Sequence, residues 1–136
     1  MADISITASA VTATLNRGTI TALAGATITA GQVVYADPAT GAWLLADANS
    51  ATVAARVPAG IALNGGVINQ PVTVITSGLL TMNAVLTVGA PFYLSANPGG
   101  IAPGADLVSG WFPSFLGFAA STTVLMIDIQ SGTAAI

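Results

Sequence analysis

The sequence predicts an all-β protein: a small β-barrel or sandwich built from two weakly similar repeats, with an extended N-terminal arm and one or two short helical turns. Three observations predict it. Val, Ile and Thr supply 39 of the 136 residues, and β-branched side chains pack well on a pleated sheet while losing rotamer freedom in a helix. Turn-forming Gly, Pro, Asn and Asp recur at roughly 8–12-residue spacing, as between the short strands of a barrel or sandwich. One stretch of chain also returns later with its order and spacing kept. The length suits one domain with a single core.

Residues 1–24 are expected to form the N-terminal arm and first strand, and 25–136 a single β domain. In the arm, Ile4, Ile6, Ala8 and Ala10 alternate at strand period, which predicts a strand over Ile4–Ala8. Its side chains are too small to anchor it strongly, so its backbone needs a partner, either its own sheet or a neighbour's edge. Further strands are predicted at Thr19–Leu23, Gln32–Ala36, Trp43–Ala46, Gly60–Leu63, Val72–Thr76, Leu79–Met82, Phe92–Ser95, Leu116–Ala119 and Thr123–Gln130. The exception is Asn49–Arg56, where Asn49 or Ser50 can cap one or two helical turns over the Ala-rich run.

The internal repeat begins with Gly31-Gln-Val-Val-Tyr35-Ala-Asp-Pro-Ala-Thr-Gly41, matched by Gly89-Ala-Pro-Phe-Tyr93-Leu-Ser-Ala-Asn-Pro-Gly99. Val57–Ala62 is then echoed by Phe112–Ala119, and Pro71–Thr76 by Thr123–Asp128. The pseudo-repeats run over about 25–80 and 81–136. Neither unit can bury a sheet face alone, so the two are expected to pack together.

Composition argues about function mainly by what is missing. The chain has 2 Arg, 5 Asp and no Lys, Glu, His or Cys. Thiolate and imidazole are the ligands of zinc, haem and copper sites, so no such metal or cofactor is expected. Acid–base chemistry would fall to Asp, Tyr and hydroxyls, and no enzyme activity is expected. Two cations cannot neutralise the phosphates that nucleic-acid binding requires. The apolar content is 54%, but Pro58, Asn64, Gly65, Gly66, Asn69, Gln70 and Pro71 break it into short runs, so no membrane span is expected. So few charges suit a surface partly covered by other protein, because interface cores are depleted in charge.

Individual candidates follow. Asp37 and Asp47 are the nearest approach to a carboxylate pair, yet Asp37-Pro38 is turn chemistry and Asp47 stands where a cap would. Asn64-Gly65-Gly66 and Pro98-Gly99-Gly100 lack the Lys and strand–helix setting of a phosphate loop. Thr19-Ile-Thr21 and Thr27-Ile-Thr29 stop after two copies, which suits solvated strand positions. Trp111, Phe112, Phe115 and Phe118 can plug a core, or Trp111 and Phe112, between Gly110 and Pro113, can anchor in a partner's pocket.

The Gly31–Asp37 pattern, its second copy Gly89–Ser95, the Gly60-Ile-Ala-Leu and Gly117-Phe-Ala-Ala strands and the closing Thr123–Gln130 strand together resemble the capsid decoration (cement) proteins of tailed bacteriophages. The resemblance runs from about Thr19 to Gln130. It implies a small β-barrel or sandwich that forms homo-oligomers, trimers ahead of dimers. It also implies a place on the outer capsid surface of the virion after synthesis in the host cytoplasm, with the major capsid protein as partner. There such proteins clamp neighbouring subunits against internal DNA pressure. This sequence departs from the group in lacking Lys and Glu. On this reading Ile4 and Ile6 in the arm, with Trp111 and Phe112, are the expected contact residues, and removal of residues 2–17 is expected to abolish capsid binding while sparing the fold. The alternatives are a phage fibre or adhesin-type module that binds a surface glycan, and a small hydrolase using Asp37 or Asp47.

Overall fold

The computed structural model describes residues 3–82, 84 and 86–131. Among the described residues there are nine strands: β1 Thr12–Leu23, β2 Val33–Ala36, β3 Trp43–Leu45, β4 Gly60–Ala62, β5 Pro71–Thr81, β6 Pro91–Leu94, β7 Ile101–Pro103, β8 Phe115–Ala119 and β9 Val124–Gln130. They form one antiparallel sheet in the order β3-β2-β4-β5-β9-β8-β6-β7, with β1 added on β5. The sheet curls into a half barrel with short 3-10 turns between strands, so the fold is all-β as expected.

β5 joins the two halves. Val74 and Ile75 pair with Ala62 and Ile61 of β4, and Ser77–Thr81 pair with Val124–Asp128 of β9. β1 follows β5 along its whole length, from Thr12 opposite Thr81 to Leu23 opposite Pro71. Either side of β5 one pairing scheme occurs twice. β2 pairs with β3 and β4 in the first half, and β6 with β7 and β8 in the second. The registers agree: Tyr35 lies opposite Leu44, and Tyr93 opposite Ala102.

The turns agree as well. Gly31 N–H donates to Ala62 O at 2.8 Å and Ala62 N–H to Gln32 O at 2.9 Å. In the second half Gly89 N–H donates to Ala119 O at 2.8 Å and Ala119 N–H to Ala90 O at 3.0 Å. Gly41 and Gly99, which turn the two hairpins, have φ of 75° and 76°, a left-handed conformation that costs residues with a Cβ. Gly60 and Gly117 serve a different need. A Cβ on Gly60 would strike the carbonyl of Ile75, and one on Gly117 the carbonyl of Met126, so both positions let neighbouring strands approach closely.

The first half is buried on both faces. Val33, Ile61 and Ile75 face a large cluster shared with the second half, which contributes Phe92, Leu94, Leu116 and Leu125. Their strand neighbours Val34, Ala62 and Val74 face a smaller cluster with Ala24, Ile28, Val72 and Trp43. Successive residues point to opposite faces, which is why β2 and β4 are apolar throughout. The Trp43 indole N–H donates to Val72 O at 3.0 Å within that smaller cluster. Trp43→Phe removes the donor and part of the packing and is expected to cost about 1–3 kcal/mol. Urea denaturation should show a lower midpoint at unchanged slope; a wild-type midpoint would contradict this role.

Four expectations need correction. Ile4–Ala8 is not a strand: one backbone bond, Ile4 N–H to Ile101 O at 3.0 Å, holds it to β7, and the chain then turns as a 3-10 segment at Ala8–Ala10. The first strand begins at Thr12 rather than Thr19, because the pairing with β5 continues past bulges at Ala13/Leu15, Asn16/Gly18 and Gly18/Thr19. Deleting residues 2–17 would therefore remove half of β1, so it is not a deletion that spares the fold. Val72–Thr76 and Leu79–Met82 are not separate strands: one strand, Pro71–Thr81, runs through both up to Thr81 and is continuous through Gly78, where a side chain would meet the carbonyl of Leu15. At Asn49–Arg56 only a 3-10 turn forms, Val53–Arg56, with Thr52 rather than Asn49 or Ser50 at its cap. The Ser50 hydroxyl instead accepts the Thr52 N–H at 3.1 Å, a local bond that competes with helix.

Candidate interaction surface

The 3-10 turn Val53–Arg56 and the segment 107–114 meet at the surface. Phe112 N–H donates to Ala48 O at 2.9 Å, and the Ser114 hydroxyl, on a fully buried residue, donates to Arg56 O at 2.9 Å. These bonds set the Phe112 ring beneath Arg56, whose guanidinium carbon lies 3.7 Å from the ring centroid. At that distance the cation is attracted by the negative face of the ring. Trp111 packs against the large core cluster, and its N–H donates to Val108 O at 3.3 Å. Val53 and Val108 belong to these two segments and Val57 follows the turn directly; they are 66%, 52% and 49% exposed.

The result is an apolar surface held on a backbone that its own hydrogen bonds fix. The charge of Arg56 lies over an aromatic ring. Such a surface can bury aliphatic and aromatic area against a protein partner with little ordering cost.

The four residues singled out from the sequence fall in two places. Trp111 and Phe112 belong to the surface just described, both half-buried. Ile4 and Ile6 are also half-buried and pack on the large cluster. Ile6 lies over Gly31, and the Asp3 carboxylate accepts bonds from the Ser95 hydroxyl at 2.7 Å and the Asn97 amide at 3.1 Å. The arm is thus fastened to the turns that precede β2 and β7. Sequence reasoning missed Val53, Arg56, Val57 and Val108. The available signal was that Arg56, one of only two cations, sits beside the Val57-Pro58 step that the repeat sets against Phe112-Pro113.

The remaining candidates act locally. Asp37 accepts from Ala39 N–H at 3.0 Å and from the Thr40 hydroxyl at 3.2 Å, and Asp47 accepts from Asn49 N–H at 3.2 Å. Asn64 closes its loop by donating to Pro71 O at 3.1 Å and accepting from Thr73 N–H at 2.7 Å. Phe115 and Phe118 stack with centroids 6.4 Å apart, and Tyr93 meets Phe115 edge-on at 5.7 Å. Among the described residues no group of three or more potential His, Cys, Asp or Glu ligands comes together, and no helix is long and apolar enough to cross a membrane. Comparison with protein-family models finds no match, and neither does comparison with curated proteins.

Proposed function

We propose that this protein is a structural coat component: a capsid decoration protein that binds the outside of a tailed-phage head and bridges neighbouring major capsid protein subunits as a homo-oligomer. The observation that carries this reading is the junction of the Val53–Arg56 turn with segment 107–114, where Val53, Val57 and Val108 are exposed and the Arg56 guanidinium lies over the Phe112 ring. A rigid sheet presents that surface, and the sequence patterns resembling decoration proteins lie in the turns and strands that build the sheet. Each contact of a bridging oligomer is modest, and several made together give avidity beyond any one.

Co-sedimentation of the purified protein with mature and immature heads of the phage that encodes it tests the reading. Saturable binding at a fixed, simple ratio to the major capsid protein, tighter on mature heads, is the expected result. Absence of binding to both forms overturns it.

A further inference from the structure

β4 ends at Ala62, but its pairing with β5 continues through a side chain. Leu63 N–H donates to Thr73 O at 2.8 Å, and the next step of the ladder is made by the Asn64 amide. Its Oδ1 accepts Thr73 N–H at 2.7 Å, and its Nδ2 donates to Pro71 O at 3.1 Å. One primary amide thus stands in for a strand peptide group, accepting from one residue of β5 and donating to the residue two before it. A third bond, Nδ2 to Gly65 O at 3.2 Å, holds the same group over the loop.

That amide precedes a glycine. Asn64 is the one asparagine of the chain followed by Gly, and both residues are exposed. Asparagine deamidates when the backbone nitrogen of the next residue attacks its Cγ, and a glycine there, having no Cβ, hinders the approach least. In this step the bond from Gly65 N to Asn64 Cγ forms and the Cγ–Nδ2 bond breaks. The Gly65 N–H proton leaves with Nδ2 as ammonia. Water then opens the cyclic imide at either carbonyl and leaves aspartate or isoaspartate at position 64.

We propose that Asn64 is a deamidation site whose reaction is gated by the loop between β4 and β5. While the ladder is made, Cγ is held toward Pro71 and Thr73, and the nitrogen that must leave donates two hydrogen bonds. Ring closure therefore runs through the fraction of molecules in which the loop has opened. The product cannot close the loop again. A carboxylate has no proton to give to Pro71 O, and it sets a negative charge beside the Pro71 and Gly65 carbonyl oxygens, in a stretch with no charged residue from Val57 to Ala105. Isoaspartate also lengthens the backbone, which displaces Gly66, whose N–H and carbonyl both pair with Ile28 at 2.9 Å. Deamidation turns a reversible opening into a permanent one.

Peptide mass spectrometry of the full chain, kept in mildly alkaline buffer either folded or unfolded in urea, tests this. In the unfolded chain Asn64 should convert ahead of the other asparagines, and in the folded protein the same conversion should run at least about tenfold slower. Gln70→Ala removes the side-chain oxygen that accepts Val67 N–H at 2.9 Å, which loosens the loop at an exposed position and should raise the folded-state rate severalfold. Asn64→Asp makes the product directly and should lose hydrogen-exchange protection across 63–73 while β9 keeps its own. Equal rates in the folded and unfolded chains, a folded-state rate untouched by Gln70→Ala, no conversion at Asn64 in the unfolded chain, or wild-type protection in Asn64→Asp overturns the proposal.

Discussion

Gly117→Ala is expected to destabilise the protein by at least about 3 kcal/mol, a large share of the roughly 5–15 kcal/mol that holds a domain folded. The added methyl would fall on the carbonyl of Met126 in the adjacent strand. Relief requires β8 and β9 to part, and their neighbours Leu116 and Leu125 are fully buried in the shared core. Gly89→Ala is the control. Its φ is 80°, but a Cβ there meets nothing within 4 Å, so only the left-handed backbone is penalised, at about 1–2 kcal/mol. Urea denaturation of the two variants should separate them clearly, and equal losses would show that close strand approach is not what requires glycine at position 117.

Val53→Asp combined with Val57→Asp is expected to weaken head binding about 30-fold or more while leaving the fold almost untouched. Both side chains are largely in solvent, so stability should change by no more than about 0.5 kcal/mol for each. In the bound state the same carboxylates would be buried against an apolar partner surface, and the loss of an interface anchor of this kind typically reaches about 2 kcal/mol or more. A titration of heads with the double variant measures it. Wild-type affinity in that variant would remove the Val53–Arg56 turn from the contact surface.

Much of the fold was legible because strands and turns are local. The Gly31–Gly41 stretch and its counterpart Gly89–Gly99 were recognisable as equivalent, and the glycines that mark them sit in turns with φ near 75–92° in both halves. Alternation and β-branched runs located β2, β3, β4, β6, β8 and β9 to within a residue or so. β7 escaped, because Ile101-Ala102-Pro103 is only 3 residues long and ends in a proline that pairs with Phe92. The length of β1 escaped as well. Thr12–Gly18 carries Asn, Arg and Gly in a bulged stretch whose pairing partner lies far along the chain, and no local pattern encodes such a partner.

The candidate interaction surface was half legible. Trp111 and Phe112 stood out as aromatics flanked by Gly110 and Pro113. Val53 and Val57 did not, because an Ala-Val run beside a possible cap has the look of a buried helical stripe. The difference lies in tertiary structure: Ala55 is the buried residue of that 3-10 turn, and the tighter turn leaves Val53 outward.

The proposed coat role rests on the surface at Val53–Val57 and 107–114. The most direct measurement is an electron cryomicroscopy map of decorated heads at a resolution that places the strands. The expected result is that Val53, Val57 and the Phe112 ring under Arg56 face the major capsid protein, at a site that spans more than one of its subunits. A map in which those residues point away from the head, with another face of the sheet seated on the capsid, would contradict it.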